Sequence, residues 1–490
     1  MMLRALLTIG GIQIIIMLVL LVRTKTLAVV LGPEFVGVMA VLDKLLAMIA
    51  QTVSLSLPFA AVRFLPERWS AGPAEFRDLF TRMRNVLLAL IVAATIGALL
   101  VSFFQPAIWG KALLPYRDVL AVAILGLPVI GLMPFLQNSI AGRLQQNRSM
   151  IVGLLHAVIL AIAVVAIWWA GLAGYYAVYA VMGSILVVGI TRMATAGTDV
   201  RPNPGPARRP FALSLPAAIW RFSGALLILT FLTPYAALFV HYLLLSEHGA
   251  ETAGWMQAAI GISLSVRAVL GSAHAVFLTP NVNRGGGAAD RMQWANRFQI
   301  MLCLIAGVVV PPLLLFPGLA IAILYSPAFS PGAVFVMVFV LTEVIGLLSG
   351  TYQSLLIALD HLRVHVAINL VAQIIVVLVA CSLIPRSGSL GAGLACLTAP
   401  VFLLFSTLIS LHRLHGLRMP MRIAFRSAWL VLSLVATGFI GALFEGTVWT
   451  SLLVKVGAYA VVVGGFALLL TRDERNRGRV FLQGWRARWI

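Results

Sequence analysis

Gly32-Pro33-Glu34-Phe35-Val36-Gly37-Val38-Met39 recurs 217 residues later as Gly249-Ala250-Glu251-Thr252-Ala253-Gly254-Trp255-Met256, with Gly, Glu, Gly and Met in the same four places. A second pair stands at nearly the same spacing. Val129-Ile130-Gly131-Leu132 has Arg148 nineteen residues after Val129, and Val344-Ile345-Gly346-Leu347 has Arg363 nineteen after Val344, an offset of 215. In so apolar a chain one match is coincidence. Two matches in corresponding segments point to an internal duplication.

What surrounds these motifs is membrane-like. Of 490 residues, 61% are hydrophobic and only 10% charged, against roughly half and a quarter in a soluble domain. No water-soluble fold hides that much apolar surface, which excludes a soluble enzyme, a disordered chain and a disulfide-stapled module. Crossing a hydrocarbon layer of about 30 Å takes roughly 20 apolar residues. Fourteen segments qualify: 5–31, 36–62, 85–106, 119–141, 150–171 and 174–191; then 222–246, 253–278, 298–325, 332–358, 365–384 and 390–411; then 427–446 and 451–471. The motifs at Gly32 and Gly249 open spans two and eight.

The formal charge of +20 is a topology signal. Of 35 lysines and arginines, 27 fall in connections on one side, three on the other (Lys111, Arg117, Arg386) and five within spans. Basic residues concentrate in cytoplasmic connections, so both termini are expected in the cytoplasm and the number of spans is even. Dispersed in this way, the charge does not make a nucleic-acid surface. The tail from Arg472 to Arg488 suits the anionic inner leaflet, with Trp485 and Trp489 at the interface.

Two six-span lobes follow, 1–196 and 222–412, joined by a cytoplasmic linker, 197–221, that carries four prolines between Arg201 and Pro210. Residues 413–490 add spans thirteen and fourteen and the tail. Each lobe has an even number of spans, so the two share one orientation about an axis along the membrane normal. The expected fold is all-α and polytopic, with parallel lobes around a central cavity, an architecture that rocks about a site and so suggests transport.

Ionisable residues inside a membrane call for a partner or a wet cavity. Lys25 and Asp43 lie about 10 Å below the boundary marked by the Gly32–Gly37 motif, with Arg23 and Lys44 close to that level. Arg23 and Lys25 are about 200° apart on a helix and cannot both face one cavity. These long side chains either snorkel to the interface or line a cationic cavity; Asp43 is too short to snorkel. Arg267 and Glu343 lie about 20 and 16 Å deep, either as a structural ion pair or as a ligand-binding cation and a protonatable switch. Lys455 reads as a snorkelling anchor. Cys303, Cys381 and Cys396 lack metal or redox spacing and read as small buried hydrophobes. His156, His241 and His274 lack metal-ligand spacing, so neither metal nor cofactor is expected. Gln137-Asn138-Ser139 and Tyr352-Gln353-Ser354 either hydrogen-bond a sugar or join helices.

The opening span with Arg23 and Lys25, the following Leu31-Gly32-Pro33-Glu34-Phe35-Val36-Gly37 and the stretch to Val62-Arg63-Phe64-Leu65 resemble the polysaccharide transporter (O-antigen flippase-like) branch of the multidrug/oligosaccharidyl-lipid/polysaccharide exporter superfamily. The resemblance covers spans one to twelve. It implies a bacterial inner-membrane flippase that carries an undecaprenyl-diphosphate-linked oligosaccharide to the outer leaflet, with membrane lipids, a polysaccharide polymerase and export machinery as partners. Fourteen spans, where twelve are expected, is a feature of lipid II flippase-like relatives. Arg23, Lys25, Lys44 and Arg267 then face the anionic head group, and Asp43 or Glu343 couples charge. A cation-exporting drug pump would line its cavity with carboxylates, whereas bases outnumber acids five to two within these spans. A membrane-embedded polymerase or ligase would need a catalytic outer loop, and the outer connections are about a dozen residues or shorter.

Overall fold

A straight helix of 57 residues would extend about 86 Å, nearly three times the hydrocarbon thickness, so the long apolar helices must break. Four glycines break them. The computed structural model describes residues 2–143, 146–195, 214–278, 281–282, 287–444 and 449–469. Most of the proline-rich linker, Arg284 and the basic tail lie outside the described residues. Within them every regular element is helical: α1 (Met2–Val53), α2 (Leu57–Ala71), α3 (Pro73–Phe104), α4 (Arg117–Ile124), α5 (Leu127–Gly142), α6 (Gln146–Ala163), α7 (Ile167–Thr195), α8 (Ala217–Ala273), α9 (Ala288–Leu315), α10 (Pro317–Leu324), α11 (Ala333–Ala358), α12 (Leu362–His415), α13 (Met421–Leu443) and α14 (Trp449–Leu469).

The breaks repeat the duplication. Gly32 (φ 72°) divides α1 and Gly249 (φ 84°) divides α8; Gly171 (φ 56°) divides α7 and Gly388 (φ 53°) divides α12. Both pairs are 217 residues apart. The described residues hold ten apolar stretches long enough to cross a membrane, one of them the pair 111–124 and 127–141, bent by 46°. Four of the ten contain a glycine break, and dividing each there yields fourteen crossings, as expected of this polytopic chain.

Two compact units emerge. The first comprises Met1–Gly261, Ile321–Gly332 and Leu362–Ala399; the second comprises Ile262–Ala320, Ala333–His361 and Pro400–Ile490. In the first, the rings of Phe76, Phe80 and Phe135 stack at 5.9 and 5.5 Å, and a buried Ser56–Thr230 hydroxyl pair at 2.5 Å ties α8 to the start of α2. In the second, α13 approaches α9 closely enough that a Cβ at Gly441 would collide with the Leu314 carbonyl. Large apolar side chains remain uncovered, among them Trp169 (82% exposed) and Leu468 (79%). Such surface is stable against lipid and not against water.

Connections that the charge count assigns to one side meet at one end of the first unit. The Tyr116 hydroxyl donates to Glu34 at 3.2 Å, Trp255 Nε1 donates to the Ala328 carbonyl at 3.2 Å, and His248 Nε2 bonds the Ile384 carbonyl at 2.7 Å. At the other end Arg143 donates to the Ala194 carbonyl at 2.8 Å and stacks 4.2 Å from the Trp69 ring. Burial, with Arg148 adding to it, lowers the Arg143 pKa.

Three details differ from the sequence expectation. Span two ends at Val53 and not near 62, because Leu55 and Ser56 adopt left-handed conformations (φ 48° and 59°) and Pro58 starts a new helix. Lys455 is no snorkelling anchor. It is 5% exposed and rests 4.8 Å from the Phe316 ring, where a cation–π contact replaces water. Of the cysteines only Cys303 is buried; Cys381 is exposed and Cys396 half-buried on lipid-compatible apolar helices.

Candidate functional site

The duplicated motifs pack against each other. A Cβ at Gly37 would collide with the Ala250 carbonyl and stand 2.7 Å from the Gly254 nitrogen, and a Cβ at Gly254 would collide with the Pro33 carbonyl. Backbone therefore meets backbone reciprocally, as in membrane helix crossings that use small residues. Above this seam, Leu31–Phe35 and His248–Thr252 line a cleft of about 600 Å³.

Below the seam lies the charged layer. Arg23 donates through Nε (3.2 Å) and Nη2 (2.5 Å) to the Tyr175 hydroxyl, and its guanidinium lies 5.4 Å from that ring. The neighbouring Tyr176 donates its hydroxyl to Asp43 Oδ1 at 2.8 Å. The two tyrosine rings are edge-to-face, with centroids 5.3 Å apart. Asp43 itself is exposed. The partner bonded to Arg23 is thus a neutral phenol, and the opposite charge nearby is bonded to the next tyrosine.

Lys25 diverges from Arg23, as two residues so spaced must. Its Nζ donates at 2.6 Å to the Ala322 carbonyl in the last turn of α10, an acceptor left without a helical donor and at the negative end of the helix dipole. Lys44 adjoins Asp43 and is half-buried. The structure therefore brings together Arg23, Asp43 and Lys44 and sends Lys25 elsewhere. Composition did not single out Tyr175 and Tyr176. Two adjacent hydroxyl-bearing aromatics in an otherwise apolar span were the available signal.

In the second unit Arg267 Nη1 and Glu343 Oε2 form an ion pair at 3.2 Å, with the side chains 63% and 15% exposed. A pair this open contributes on the order of 0–1 kcal/mol, too little for a structural strut, and the guanidinium keeps an accessible face. Seven residues along, His274 Nε2 lies 3.4 Å from the Gly350 carbonyl and 3.3 Å from Ser354 Oγ, at a π-helical turn, His274–Leu278. The polar triplets chiefly join helices: Asn138 donates to the Pro58 carbonyl at 3.0 Å and Tyr352 to Asn296 at 3.2 Å. Among the described residues no cluster of three or more metal-ligating side chains occurs.

No protein-family model matches the sequence. No curated protein is significantly similar to it. Solved structures do match. A lipid II flippase MurJ in an inward closed conformation superposes with a TM-score of 0.66 at 12% identity, covering 95% of this chain and 98% of that one. An inward-facing multidrug resistance MATE family transporter of the MOP superfamily gives 0.61 at 11% identity over 86% and 99%. A MOP superfamily transporter from Pyrococcus furiosus, described as having a binding pocket of reverse polarity, gives 0.52 at 12% identity over 86% and 96%. The chain has the fold of these MOP superfamily transporters.

Proposed function

We propose that this protein is a flippase. It carries a lipid-linked oligosaccharide, attached through a diphosphate to a polyprenyl chain, from the inner to the outer leaflet of the bacterial cytoplasmic membrane. The arginine-rich end faces the cytoplasm, and lobes 1–196 and 222–412 alternate access to the site while 413–490 is an appendage. The observation that carries this reading is Arg23: within an apolar span, its guanidinium is hydrogen-bonded to a neutral phenol and to no carboxylate, which leaves it able to pair with an anion. A guanidinium pairs with phosphate oxygens through two parallel bonds. The polyprenyl tail remains in lipid. The match to a lipid II flippase supports the substrate class.

A second reading, a multidrug exporter, draws on the match to MATE transporters and on the accessible Asp43, a carboxylate of the kind that attracts cations. The two readings separate in cells. With Arg23→Gln present in the membrane at wild-type levels, surface polysaccharide falls at least about tenfold and lipid-linked oligosaccharide accumulates on the inner leaflet, while drug susceptibility stays constant. Normal polysaccharide together with raised drug susceptibility favours the exporter.

A further inference from the structure

Tyr175 bonds Arg23 and the adjacent Tyr176 bonds Asp43, so the two charges share one aromatic pair without a direct bond between them, and their proximity fixes the sign of any coupling between ligand and proton. Asp43 accepts from Tyr176 and attracts Arg23 electrostatically without touching it. Tyr175, itself buried, accepts both Arg23 bonds, so the group bonded to the guanidinium is neutral and Asp43 acts on it only through space.

Other titratable groups face this pair. His156, from α6, bonds the Tyr179 hydroxyl at 3.2 Å and feels the charge of Arg23; Tyr325 approaches Arg23 from the 321–332 segment; Lys44 adjoins Asp43, and His241 of α8 faces Lys44.

Resting on the reading of Arg23 as an anion site, we propose that an anionic ligand at Arg23 binds cooperatively with a proton on Asp43. An anion at Arg23 brings like charge toward the Asp43 carboxylate and takes over its neutralising role, so the carboxylate gains a proton as the anion arrives. By linkage, a protonated Asp43 strengthens anion binding by the same factor. A cation pump has the opposite sign, since its ligand and the proton compete for one carboxylate.

The test uses the purified full chain in detergent and methanedisulfonate, a diphosphate-shaped dianion that stays fully ionised between pH 5 and 8. In the wild type the dissociation constant falls about tenfold from pH 8 to pH 5, and binding takes up protons, read from calorimetry in buffers of different ionisation enthalpy. In Asp43→Asn, binding is tight across the range and proton uptake disappears. Four results overturn the coupling: an unchanged pH slope in Asp43→Asn, a dissociation constant that rises with acidity, loss of the slope in His156→Gln in place of Asp43→Asn, or no proton uptake by the wild type. The last of these serves even if Asp43→Asn does not fold. If the wild type binds no dianion at any pH, the anion site itself falls, and the coupling with it.

Discussion

Arg23 and Lys25 stand two positions apart on one helix and serve different ends. Lys25 completes the last turn of α10 by bonding the Ala322 carbonyl, an arrangement worth about 0.3–1 kcal/mol. Lys25→Met is therefore expected to lower the thermal midpoint by only a few degrees and to leave dianion affinity within a factor of two or so; Arg23→Met is expected to abolish binding. Calorimetric titration of the two variants side by side checks this, and equal losses of affinity would return Lys25 to the cavity. The charged positions were legible because ionisable groups inside apolar spans are rare and costly. Their partners were not. Tyr175 and Tyr176 look like ordinary aromatic filling until α1 and α7 are packed together, and the burial of Lys455 depends on a ring 139 residues away in the chain.

At the scale of elements, glycine sets the architecture in two ways. Gly32 and Gly249 supply the left-handed turns that divide α1 and α8, and Gly37 and Gly254 let the following arms meet backbone to backbone. A side chain at Gly249 would cost roughly 1–2 kcal/mol from conformation alone, so Gly249→Ala lowers the unfolding midpoint in detergent by several degrees. Gly37→Ala and Gly254→Ala strike the same crossing. Once the first has forced the arms apart, the second costs little, so the double variant is less damaged than the sum of the singles by more than about 0.5 kcal/mol. Additive losses in thermal unfolding would show two independent contacts. The Gly32/Gly249 repeat was visible in the sequence because a glutamate and a methionine recur with the glycines. The matching breaks at Gly171 and Gly388 share only Gly-x-x-Gly with Gly174 and Gly391, too little to recognise without the backbone. The premature end of span two escaped for a related reason: Leu55-Ser56 is unremarkable in composition, and its left-handed turn follows from the helix that Pro58 begins.

For the whole molecule, composition and the placement of basic residues were enough to read a fourteen-span helical membrane protein, because a bilayer constrains segment length and apolarity directly. Substrate is encoded more locally, in which charges remain uncancelled once the helices assemble. The most direct measurement reconstitutes the protein in liposomes containing a fluorescent polyprenyl-diphosphate saccharide and follows its movement between leaflets with a membrane-impermeant quencher. A role for Arg23 in holding the diphosphate requires movement by the wild type, little movement of a neutral polyprenyl glycoside, and loss of transport of the charged lipid in Arg23→Gln. Equal movement of charged and neutral lipids, or transport by Arg23→Gln at the wild-type rate, would contradict it.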